Sequence, residues 1–168
     1  MDILLLASPD GSRPRRPGHI DDCPHEGFVW VDFIRDQEPN WHETVEGLGC
    51  GKLHEQHLRD SLNPAHPSFF DSTSDYDMVI FRGLAPETED DQFSTHPVAF
   101  FLFERVLVTV QPGESRSVKA VKERLLSQSS RVPADPAALM HLILNAMVDR
   151  FLALREPLTQ QMEAWMER

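Results

Sequence analysis

The feature that most constrains the fold is one long helical pattern filling residues 135–168. Asp135 is a helix-capping residue type, and Pro136 brings the fixed φ that suits a first helical position. Apolar side chains then recur at Met140, Leu144, Met147, Phe151, Leu154, Leu158, Met162 and Trp165. Steps of three and four residues keep them on one face of a helix about 50 Å long, at 1.5 Å per residue. No glycine, proline or turn cluster follows Trp165, so the native chain is expected to continue past Arg168.

The helix changes character along its length. Ala137–Val148 is apolar at ten of twelve positions, which suits burial on most sides, whereas Arg155–Arg168 is apolar at five of fourteen. A broad apolar face packs on a domain core, and a narrow seam packs on a partner helix. The pattern therefore predicts an α/β domain over 1–134, with 8–27 as an irregular loop, and the start of a stalk helix over 135–168. The plain alternative is a terminal helix lying across its own domain. The seam Leu154-Leu158-Met162-Trp165 is short, so this chain alone is expected not to form a stable pentamer in dilute solution.

Net charge is −11, and residues 28–115 supply all of it, with sixteen acids against five bases. Such a field disfavours nucleic acid and concentrates cations. Two cysteines, Cys23 and Cys50, make no disulfide framework and suit a reducing compartment. The apolar run at Met1–Ala7 is too short for a signal peptide and reads as a first strand. The chain is expected to behave as a soluble protein.

Along the chain, strands are predicted at 28–33, 77–84, 95–102 and 105–110, from their β-branched and aromatic residues. Helices are predicted at 40–48, 53–62 and 117–128, the second stopped by Pro64 and Pro67. Strands and helices thus mix early, and helices take over late.

The densest set of potential ligands is Cys50, His54, His57 and Asp60, with Cys23 and His25 as further candidates. Zinc takes such residue types, but no Cys-x-x-Cys and no His-Glu-x-x-His is present. Solvated histidines on a polar helix are the simpler account. No Gly-x-Ser-x-Gly elbow and no phosphate-binding glycine loop occurs, so no enzyme site is predicted.

The order of short motifs is more telling. Trp30-Val31-Asp32 precedes Leu53-His54 at a helix carrying Asp60; Pro67, Asp75-Tyr76 and Met78-Val79-Ile80 follow. Leu107-Val108-Thr109-Val110 then leads to a long helix with Leu142-Ile143 and Val148-Asp149-Arg150-Phe151. This series resembles the N-terminal cytoplasmic domain of the CorA family of divalent metal ion transporters. The resemblance implies a mixed β-sheet sandwiched between helices, followed by a stalk leading to absent membrane segments. It implies a homopentamer at the cytoplasmic face of the inner (plasma) membrane, gating passage of magnesium, cobalt, nickel or zinc. It places regulatory metal on Asp60; a single carboxylate beside the positive Arg59 is expected to hold that metal weakly, with no tightly bound cofactor.

Departures from the family pattern are equally specific. Arg59 precedes Asp60 where many members carry an acid, and His66-Pro67-Ser68 replaces the frequent Arg-Pro-Lys. These changes point toward a divergent or zinc-type branch. The competing readings are a free-standing acidic cytosolic module that binds a basic protein, and a small zinc enzyme using Cys50, His54 and His57.

Overall fold

A computed structural model describes residues 1–6, 13–17, 20, 25–87, 93–128 and 131–168. Cys23 and most of the acidic stretch after Glu87 lie outside the described residues. The elements run β1 (Asp2–Leu6), β2 (Phe28–Ile34), α1 (Trp41–Gly47), α2 (Glu55–Leu62), β3 (Phe69–Ser72), β4 (Asp77–Leu84), β5 (Thr95–Leu102), β6 (Val106–Gln111), α3 (Arg116–Leu126), α4 (Pro136–Ala153) and α5 (Arg155–Met166).

The strands form a six-stranded mixed sheet in the order β1-β2-β6-β5-β4-β3. β2 and β6 run parallel in register Val29 to Val106 through Ile34 to Gln111, and the other neighbours pair antiparallel. β2 is buried from Phe28 to Phe33, which is what covering both faces of a strand demands. Its alternate side chains feed two cores. Val29, Val31 and Phe33 pack with Trp41, Val45 and Leu53 of the α1–α2 layer. Phe28 and Trp30 pack with Val118, Val121, Leu125, Leu139, Ile143 and Met147 of the α3–α4 layer. The expected sandwich of a mixed sheet between helices is thus the observed fold.

The cap at the start of α4 is as expected: Asp135 Oδ1 accepts the Ala138 N–H at 2.7 Å, and Pro136 sits in the first turn. Only one stripe of α4 is buried, Pro136, Leu139, Ile143 and Met147, so the expectation of burial on most sides is corrected. Met140, Leu142, Leu144 and Ala146 flank that stripe half-buried, and Val148 and Leu152 stand in the open. Met147 descends onto Gly83 of β4 so closely that a Cβ there would stand 2.5 Å from its Cε. A side chain at Gly83 would displace the end of Met147 from this contact.

The helical run Pro136–Met166 is long and apolar enough by composition to cross a membrane. α4 nevertheless packs against α3 and strands β2, β4, β5 and β6. The run is also not continuous, as the sequence pattern suggested, but breaks at Leu154. Pro157 has no N–H for the Ala153 carbonyl, and its ring crowds the preceding turn. Leu154 N–H bonds instead to Phe151 O at 3.1 Å, and Leu158 N–H restarts the ladder on Leu154 O at 3.2 Å. No residue of α5 is buried.

Strand β3 was not legible in the sequence. It is a four-residue edge strand with every residue exposed, so it has neither apolar alternation nor a buried face to announce it. The Thr73–Tyr76 turn, closed by Thr73 N–H on Tyr76 O at 2.9 Å, folds it back on β4.

Candidate functional site

Helix α2 carries the sequence-predicted site residues on different sides. Leu58 and buried His57 turn toward the sheet, while Arg59 points outward. Arg59 forms an ion pair with Glu55 one turn earlier, which neutralises it on the exposed face. The expected conflict between Arg59 and Asp60 is thereby removed: neighbours in sequence are about 100° apart around a helix.

Asp60 faces the loop that follows its own helix. Its Oδ1 accepts Gln56 Nε2 at 2.8 Å and lies 3.6 Å from His66 Nε2, and both the Asp60 and His66 side chains are 14% exposed. His66 is held from three directions. Its Nδ1 bonds to Pro67 O at 2.8 Å, its ring meets Phe69 edge-on at 5.4 Å, and Arg82 Nη1 donates to its carbonyl at 2.9 Å. Arg82 also donates to Pro64 O at 2.9 Å, so one guanidinium on β4 fixes the whole α2–β3 loop.

His57 is used differently. Its Nδ1 lies 2.7 Å from Tyr76 Oη and its Nε2 lies 2.8 Å from Asp71 Oδ2. Tyr76 Oη already accepts the His54 N–H at 2.9 Å, so its own proton goes to His57 Nδ1, and His57 Nε2–H donates to Asp71. The relay ties α2 to the edge strand β3 and to the start of β4. The hydrogen bond from His57, then the Ser72 N–H, holds the Asp71 carboxyl below the ordinary carboxylate range.

The other predicted ligands do not join Asp60. Cys50 Sγ lies near Leu48 O at 3.9 Å, and His25 is exposed beside β2. The rings of His54 and His57 are 5.5 Å apart between centres. Among the described residues, no three histidine, cysteine or acidic side chains converge on one point. The zinc-enzyme arrangement of Cys50, His54 and His57 is therefore not formed: His57 is spent on Tyr76 and Asp71, and Cys50 belongs to the turn after α1.

A second polar cluster, which spacing could not reveal, lies on the opposite face of the sheet. Asp32 of β2 is 3% exposed and Lys122 of α3 is 6% exposed. Lys122 Nζ donates to Asp32 Oδ2 at 2.5 Å, Thr109 Oγ1 to Asp32 Oδ1 at 2.5 Å, and Gln111 Nε2 to both oxygens at 2.9 Å. Trp30 Nε1 completes the chain on Thr109 Oγ1 at 2.9 Å. Burial pushes the Asp32 carboxyl up, while Lys122, Thr109 and Gln111 pull against it. Lys122 also reaches Asp2 Oδ2 at 3.2 Å. Burial alone would raise Asp2, but Arg16 and Lys122 outweigh it and leave its carboxyl low. The only early sign of this cluster was a charged Asp32 inside an apolar strand.

Fold and site together define a three-layer α/β domain with a helical extension, an acidic rim and no assembled catalytic group among the described residues. The chain belongs to the CorA-like Mg2+ transporter protein family, whose model matches residues 25–168. That family is one of transporters, not an enzyme class. No curated protein matches the chain. The complete CorA magnesium transporter of Methanocaldococcus jannaschii superposes with a TM-score of 0.76 at 10% identity, over 99% of this chain and 50% of that one. Full-length CmaX gives 0.75 at 17% identity, over 98% of this chain and 50% of that one. The ZntB cytoplasmic domain of Vibrio parahaemolyticus RIMD 2210633 gives 0.68 at 15% identity, over 91% and 60%. The chain thus spans about half the length of the full-length proteins it resembles.

Proposed function

We propose that this chain is the cytoplasmic regulatory and structural domain of a CorA-like divalent cation transporter. In this reading residues 1–134 form the domain, and the helix over 135–168 starts packed on it and runs on as a stalk toward the inner membrane. The match of residues 25–168 to the family is the observation that carries it. The exposed apolar row Phe151, Leu158, Met162 and Trp165 supports it by offering a seam for copies of the chain. Five such domains bring acidic surfaces together. A divalent cation at Asp60 offsets their repulsion and favours the closed arrangement, so gating works by assembly and metal occupancy. The transported ion is magnesium, cobalt, nickel or zinc.

The full-length gene product in liposomes tests this. Divalent cation influx, slowed by cation on the domain side and relieved by Asp60→Asn, is the expected result. A reading frame that closes just beyond Arg168, without two apolar stretches of about 20 residues each, overturns the transporter reading and leaves an acidic binding module.

A further inference from the structure

We infer that His66 is a second protein ligand beside Asp60, making a two-residue half-site for a borderline cation such as zinc. The inference rests on the reading of Asp60 as a metal-binding residue and adds the group that sets which metal it takes.

The geometry of His66 carries the argument. The Pro67 carbonyl can only accept, so the Nδ1 bonded to it at 2.8 Å holds the ring proton. Nε2 is then the ring nitrogen free to turn to a metal, and it stands 3.6 Å from Asp60 Oδ1. A nitrogen and a carboxylate oxygen at that separation can both reach one cation placed between them. Two ligands each about 2.1 Å from a tetrahedral zinc ion lie about 3.4 Å apart. The observed gap needs a few tenths of an ångström of adjustment.

The surroundings are those of an oriented ligand pair. A metal-binding imidazole characteristically gives its other N–H to a carbonyl, as His66 does to Pro67. The carboxylate is steered by Gln56, and the loop is clamped by Arg82 through the carbonyls of Pro64 and His66. Both side chains keep partial exposure, so water or a group from a second copy fills the remaining positions. With only two protein ligands the site exchanges metal instead of retaining it, as a sensor must. Imidazole suits zinc, nickel and cobalt better than magnesium, so His66 biases the site away from magnesium.

Zinc and magnesium titrations of the 168-residue chain test this, by calorimetry and by 15N NMR of the histidine rings. Zinc should move the His66 Nε2 resonance, and His66→Ala should weaken zinc at least tenfold while leaving magnesium unchanged. Asp60→Asn should weaken both cations. Zinc that moves His54 or His42 instead, or that is indifferent to His66→Ala, overturns the inference. So does a His66 ring found protonated at both nitrogens at neutral pH and undisturbed by zinc. If magnesium still depends on Asp60 in those cases, the reading of Asp60 survives. If Asp60→Asn changes neither cation, both fail. The ring spectra of the unaltered chain decide the matter even where a variant is poorly folded.

Discussion

The two faces of the sheet each hold an aspartate beside a basic side chain, and they solve opposite problems. On the α3–α4 face, Asp32 and Lys122 are almost wholly enclosed, and Thr109 and Gln111 complete the carboxylate's hydrogen bonds. The Asp32 carboxylate is thus fully engaged within the protein. On the α1–α2 face, Asp60 and His66 stand 3.6 Å apart and each keeps part of its side chain exposed. A closed polar cluster locks a fold, because breaking it strands a buried charge. An open one keeps an unmet valence for something that comes and goes. Position on the sheet decides which: β2 is an interior strand, paired on both sides, whereas the α2–β3 loop leads into the edge strand β3.

The comparison breaks first at Lys122. Lys122→Met removes the cation and leaves Asp32 buried, and it should cost about 3–5 kcal/mol in chemical denaturation. Adding Asp32→Asn should recover part of that loss. A cost below about 1 kcal/mol would mean that the cluster is wetter than its enclosure implies.

The relay through His57 sharpens the contrast, because it is closed at Tyr76 and open at Asp71. Asp71 has a lowered carboxyl in the folded chain, so its contribution is present above the ordinary carboxylate value and is lost as pH falls through it. Asp71→Asn should therefore be less stable than the parent at pH 7. The gap should close as pH drops below about 3.9, the unfolded carboxylate value. Denaturant midpoints of both chains across that range check it, and a gap independent of pH would show that the charge of Asp71 is not what holds β3.

Asp60→Asn should do least to the fold. Its stability change should stay within about 0.5 kcal/mol, because this carboxylate lies outside both hydrophobic cores and its one close hydrogen bond is to exposed Gln56 on the same helix. A loss comparable to that of Lys122→Met would make Asp60 a structural residue and erase the distinction between the two faces.

Much of this protein follows from the sequence alone. Asp135-Pro136 announced the start of α4, and the β-branched runs located β4, β5 and β6 within a residue or so. These are local signals: capping chemistry, backbone propensity and side-chain period act within a turn or a strand. The family was legible too, because it lies in the order of such local motifs along the chain. Pro157 carried a local signal for the break at Leu154, yet the apolar stripe runs through it undisturbed and hides it.

Tertiary structure decided the rest. Asp60 and Arg59 looked like rivals in sequence, and helix geometry sent one to Glu55 and the other toward His66. His57 looked like a ligand until Tyr76 and Asp71, 19 and 14 residues away, took both its nitrogens. Asp32 and Lys122 are 90 residues apart, and nothing in either neighbourhood predicts the other. Hydrogen bonds between side chains depend on ångström-scale approach between distant segments, and that distance is set by how the layers pack, not by any pattern along the chain.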